Sequence, residues 1–134
     1  MTRREAMRSE AIRKLFRDDL GYLEALDIYE RMVSVSRQLT KVAERVCSVE
    51  MTERQERWND TREKNLVAEG FALCKRAGGV FYRQSDPRGV AFYFIPLKAL
   101  LDSCKREGVE VPNTQAGITK YVASRYSLLG YPIY

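Results

Sequence analysis

An α+β fold, predominantly α, is what this sequence predicts: a long antiparallel helical hairpin, a small antiparallel β-hairpin with the C-terminal segment as the one candidate for a third strand, and two short closing helices. Three observations carry that expectation. Ala25, Ile28, Met32, Val35, Leu39, Val42, Val46 and Val49 recur at alternating spacings of three and four, a heptad seam over about seven turns that no strand would hold. Thr52-Glu53-Arg54-Gln55 reads as a capping box that restarts a helix after a short break near 48–51. Two β-rich runs, Val80–Ser85 and Val90–Ile95, flank Asp86-Pro87-Arg88-Gly89. Asp, then Pro with φ fixed near −65°, then Gly in the fourth position describe a type I turn with a bulge.

Taken in order, residues 1–21 read as a basic amphipathic helix. Thr2-x-x-Glu5 matches a capping box, and Met7, Ala11, Ile12, Leu15 and Phe16 form one apolar stripe. Gly21 suits the residue after the helix, where positive φ is easy for glycine. Residues 22–77 make the helical hairpin. Its first arm carries the seam, widened at the start by Tyr22, Leu26, Tyr29 and Val33. Its second arm is polar from Glu53 to Asn65 except for Trp58, supported by Glu53–Arg57 and Asp60–Lys64 pairs. It turns apolar from Leu66 and ends at Gly78-Gly79.

Residues 78–96 hold the β-hairpin, its second strand apolar on both faces and therefore central. Residues 97–134 supply two helices and a strand. Pro96 at the first helical position opens a helix bearing Leu97, Leu100, Leu101 and Cys104, which Gly108 stops. Asn113 or Thr114 caps the next, with Ile118, Val122 and Leu129 on its stripe and Tyr121, Arg125 and Tyr126 beside or opposite it. In Tyr131-Pro132-Ile133-Tyr134, the proline confines any strand to a sheet edge. The whole, 1–134, reads as one domain.

Composition narrows the chemistry. The 134 residues are 45% apolar and 31% charged with net charge +5, too apolar for a disordered chain and too charged for a membrane one. The N-terminus is a charged amphipathic stretch and not a signal peptide, which gives a cytoplasmic expectation and no membrane partner. Histidine is absent, which removes Ser–His and Cys–His nucleophilic pairs and every histidine metal site. Cys47, Cys74 and Cys104 form no C-x-x-C pair and lie among apolar neighbours, so buried reduced thiols are expected and no metal or cofactor. Phosphate-cradling glycine loops and Glu-x-Lys nuclease motifs are also missing. The expectation is a protein that is not an enzyme.

Candidate binding residues fall into three groups, each with two readings. Trp58, alone on a polar helix face, either packs on the end of the seam near Val46 or Val49 or serves as an interface anchor. Arg83 and Arg88, at and near the hairpin tip, either reach an anionic partner as a preorganised fork or are ordinary surface residues. Arg4, Arg8, Arg13, Lys14 and Arg17 on the first helix, with Arg3, and Lys120, Tyr121 and Arg125 near the C-terminus, either meet nucleic acid or form a solvated surface. The seam residues Ile28, Met32, Val35, Leu39, Val42 and Val46 are expected to pair with helices of the same chain or of a second copy, making a homo-oligomer.

Val42-Ala43-Glu44-Arg45-Val46-Cys47, Met51-Thr52-Glu53-Arg54-Gln55-Glu56-Arg57 and Tyr82-Arg83-Gln84-Ser85-Asp86-Pro87-Arg88-Gly89 with the aromatic strand after it resemble a group of small phage and prophage proteins. That group shares a leucine-rich helix, a polar break, a charged helix and an Asp-Pro-Arg-Gly β-hairpin. The likeness spans roughly residues 39–95, with Ser85 where a glycine is usual. It implies a mobile-element accessory protein acting in a bacterial cytoplasm, and no catalytic residue. The function expected is binding to a host protein or nucleoprotein complex, in the manner of a counter-defence, anti-CRISPR or host-takeover inhibitor. The alternative is a small basic nucleic-acid-binding protein, separable by gel shifts at two salt concentrations.

Overall fold

A computed structural model describes residues 14–48, 52–83 and 92–133, with main chain only over 44–48. The heptad seam from Ala25 to Val46 lies in one unbroken helix, α1 (Tyr22–Ser48), and the capping box opens α2 (Glu53–Ala77). Both halves of the box are made: the Thr52 hydroxyl accepts from the Gln55 N–H, and the Gln55 side chain accepts from the Thr52 N–H. Gly78 ends α2 at φ 87° and turns its N–H onto the carbonyls of Cys74 and Lys75, a conformation in which a side chain would be strained. Arg76 near the end of α2 pairs with Glu24 near the start of α1, and Arg62 reaches Gln38 further along. The two helices are therefore antiparallel.

A three-stranded antiparallel sheet follows, in the order β1 (Gly79–Arg83), β2 (Phe92–Pro96), β3 (Tyr131–Ile133). The expected central strand is β2, all five of its residues buried. Its alternation divides two cores. Phe92 and Phe94 join Phe81 and Ile133 against the helical hairpin, whereas Tyr93 and Ile95 join Tyr82 and Val80 against the C-terminal helices. The result is three layers with the sheet in the middle, which is why β2 needs apolar side chains on both faces. Phe81 stacks on Phe92 and meets Phe71 at a tilt, with 4.9 Å between centroids in each pair. Gly70 in α2 lets that ring approach: a Cβ there would lie 2.6 Å from it.

The hydrogen-bond parity of the sheet explains its prolines. The Leu97 N–H donates to the Gly78 carbonyl, opposite one another in the register that continues Gly79 against Pro96. Antiparallel ladders alternate, so Val80 and Tyr82 turn their main-chain groups to β2, and Gly79, Phe81 and Arg83 turn theirs away. Pro96 and Pro132 both fall in pairs that exchange no hydrogen bond, where the missing N–H is harmless.

The seam is filled within the chain. Ala25, Ile28, Met32, Val35, Leu39 and Val42 are all 4% exposed or less and belong to the hairpin-side core. Of the two coverings expected for Ile28, Met32, Val35, Leu39 and Val42, by elements of the same chain or by a second copy, the structure shows the first. The side chain of Val46 lies outside those described, as do those of Cys47 and Val49. Cys74 and Cys104 are buried free thiols, and burial pushes the Cys74 pKa far up.

Four expectations are corrected. Lys14–Leu20, read as the end of a helix, is a succession of turns. Phe16 and Leu20 both drop into the core, Phe16 edge-on to Phe94 at 5.1 Å. The Arg17 N–H takes the Ala77 carbonyl as its partner. Tertiary burial overrides local helix preference here, and Gly21 precedes α1, accepting from the Ala25 N–H, in place of ending a helix. Second, Pro96 caps α3 (Leu97–Glu107) from just outside it. On that helix Leu100 and Cys104 are buried, while Leu97 and Leu101 are more than 40% exposed. Third, the last helix is two: α4 (Gln115–Val122), capped by Thr114, and a single turn α5 (Tyr126–Leu129). The break at 123–125 brings the Tyr126 ring against Tyr82 and Tyr93 at 5.2 and 4.8 Å. Fourth, of the two supporting pairs expected on α2, Glu53–Arg57 closes at 3.3 Å, but Asp60–Lys64 is not among the ion pairs of the described residues. The turn at 86–89 and the helix over 2–13 lie outside the described residues.

Candidate functional site

Trp58 occupies the second turn of α2, where the capping box has just started the helix and the surrounding positions are polar. Trp58 is 55% exposed, and the side chains of Val46 and Val49, its expected packing partners, lie outside the described residues. The Arg62 guanidinium, one turn on, lies 5.5 Å from the indole centroid and donates to the Gln38 carboxamide of α1 at 2.9 Å. The indole thus rests against a cation that the neighbouring helix holds in place. Such a ring is partly ordered before any partner arrives, which lowers the entropy lost on binding. Nearby, Asn59 is buried, a polar residue that the hydrophobic pattern did not mark as internal.

The cationic candidates are mostly occupied. Arg83 is held by the Glu63 carboxylate of α2. Arg125 makes a two-pronged pair with Glu107, Nε to Oε1 at 2.9 Å and Nη2 to Oε2 at 3.0 Å. Its Nη1 donates to the Tyr121 carbonyl and its plane covers the Tyr121 ring at 4.1 Å. Tyr121 donates its own hydroxyl proton to Glu107 at 2.9 Å, which leaves Ser103 as the donor in their 2.8 Å contact. The Arg125 and Tyr121 bonds hold the Glu107 carboxyl below the usual glutamate range, and the pair raises the Arg125 pKa in turn. Desolvation raises the Tyr121 pKa. This cluster ties α3 to α4, and its donors are spent on that task.

Tyr121 and Arg125, expected as binding residues, take part in this structural tie, and Arg83 in a strand–helix tie. Arg17 pairs with Asp19 at 3.0 Å, and Lys14 and Lys120 are exposed. Arg4, Arg8, Arg13 and Arg88 lie outside the described residues. Trp58, Arg83 and the Tyr121–Arg125 cluster are three separate constellations, and the structure does not gather them into one site.

Two cavities were not foreseen. One of about 470 Å³ is lined by Asp60, Glu63, Lys64, Val67, Ala68, Phe71 and Arg83. The other, of about 300 Å³, is lined by Phe71, Ala72, Lys75, Gly79, Val80, Phe81 and Gln115. The sequence signal that could have found them is on α2, where Lys64, Val67, Ala68, Phe71 and Lys75 recur at helical spacing on a flank separate from the buried positions. Among the described residues no group of three acidic or cysteine side chains could hold a metal ion, and no helix is long and apolar enough to cross a membrane. No protein-family model matches the chain, and neither a curated protein nor a solved structure matches it.

Proposed function

We propose that this chain is a non-enzymatic accessory protein of the phage or mobile-element kind, which binds a protein of the host or a nucleoprotein complex. The observation that carries the reading is Trp58: a large aromatic, more than half exposed, set on a polar face and steadied by Arg62. Tryptophan and arginine anchors supply a large share of binding energy at protein interfaces, and an exposed tryptophan is available for that use. The resemblance over residues 39–95 supports the mobile-element setting. Occupation of Arg83 and Arg125 by carboxylates favours a protein target over a phosphate backbone, which needs free cations.

The test is affinity capture from bacterial lysate with the wild-type chain and with Trp58→Ala, after nuclease treatment. The expected result is a discrete protein retained by the first and lost with the second, the two proteins having equal thermal stability. Identical capture by both would refute the anchor role. Capture that vanishes with nuclease and falls steeply with salt would establish the nucleic-acid alternative instead.

A further inference from the structure

The flank of α2 and the outer side of β1 face one another across the two cavities, which meet at Phe71. Because the chain reverses at Gly78, β1 runs back along α2: Lys75 lies beside Gly79 and Val80, and Glu63 beside Arg83. The floor is apolar, built by Val67, Ala68 and Phe71. Gly79 and Arg83 turn their main-chain N–H and C=O groups away from β2 by the ladder parity above, and among the described residues no strand pairs with that side of β1. Phe81 also turns outward but is covered, being 3% exposed, so main-chain pairing is confined to the two ends of the strand.

Charge decides the occupant. At the Arg83 end two cations and two anions balance: Lys64 and Arg83 against Asp60 and Glu63. At the other end Lys75 stands with the neutral Gln115 and no acid, and Lys75 belongs to no ion pair among the described residues. Lys64 and Lys75 are 11 positions apart on the helix, about 16 Å, which about five extended residues span. We propose that this groove binds a short extended peptide, about five residues long, with apolar side chains over Phe71 and Val67 and a carboxylate side chain at Lys75. Peptides that lie along a sheet edge gain affinity from the main chain and selectivity from such pockets. Trp58 lines neither cavity, so this site stands apart from the anchor above.

The experiment selects a displayed library of random heptapeptides on the intact wild-type chain and measures the enriched peptides, fluorescently labelled, by polarisation. Enrichment of sequences with an acid near one end of a β-branched or aromatic run is expected. Ala72→Trp, an exposed position that would fill the groove, should weaken them at least about tenfold, as should Lys75→Glu. Repeating the selection on Lys75→Glu should exchange the acidic residue for a basic one. Trp58→Ala should leave these affinities unchanged, which separates failure of this groove from failure of the Trp58 reading. No enrichment, or peptides whose binding ignores both Ala72→Trp and Lys75→Glu in proteins with wild-type melting curves, would overturn the proposal.

Discussion

Leu39→Ala is the sharpest test of how the long seam is satisfied. Leu39 is 1% exposed and sits in the core shared by α1, α2 and the sheet. The substitution removes three carbons, worth about 2.4 kcal/mol of transfer free energy at about 0.8 kcal/mol each. An unrelaxed void of roughly 80 Å³ adds about 2 kcal/mol at about 24 cal/mol per Å³. The expected loss is thus about 2–5 kcal/mol, a melting shift of roughly 6–20 °C for a chain of this size. Leu23→Ala on the same helix is the control: Leu23 is 77% exposed, and its truncation should change stability by no more than about 0.5 kcal/mol. Urea unfolding followed by circular dichroism at two protein concentrations, a hundredfold apart, supplies the measurement. With the seam covered inside one chain, the midpoint is independent of concentration. A midpoint that rises with concentration, or equal small effects at Leu39 and Leu23, would refute the argument.

Two other perturbations bear on the sheet and its outer layer. Gly70→Ala should destabilise despite alanine's helix preference of up to about 1 kcal/mol: the new methyl meets the Phe81 ring, which Phe71 and Phe92 hold, and overpacking of this kind costs about 1–3 kcal/mol. A melting temperature above wild type would show that the ring yields. The Glu107 carboxyl titrates below its unfolded value because of Arg125 and Tyr121, so its contribution is present at neutral pH and is lost as pH falls below the ordinary glutamate pKa of about 4.3. Glu107→Gln should therefore lower stability at pH 7 and bring the two urea midpoints together toward pH 3; parallel midpoint curves would contradict the linkage.

The periodic elements were legible because their causes are local. The α1 seam, the Thr52 capping box, the glycine ends at Gly78 and Gly108 and the proline edge strand each rest on side-chain spacing or on backbone conformations that one residue type favours. Residues 14–20 failed for the opposite reason. Their stripe of Leu15 and Phe16 is helical in pattern, but Phe16 is required under Phe94 and the Arg17 N–H is taken by Ala77, partners that lie some sixty or more positions away in the chain. The last helix broke because Tyr126 fills the tyrosine cluster on β1 and β2, a demand invisible in the run of residues 115–129.

Candidate binding residues were legible only where exposure follows from an isolated side chain. Trp58 stood out because nothing around it in sequence offered an apolar neighbour, and in the folded chain it stays more than half exposed. Cations are harder, since a guanidinium counts toward net charge whether it is free or already bonded. Arg125 and Arg83 look like Lys75 in the sequence, yet Glu107 and Glu63 hold the first two and none of the described acids pairs with the third. What separates them is the partner each fold contact brings: the break after α4 sets Arg125 against Glu107 of α3, and β1 returns along α2 at Glu63. A basic chain's available charge is thus the charge left after tertiary pairing, and on α2 part of that remainder, Lys64 and Lys75, sits beside the Phe71 groove.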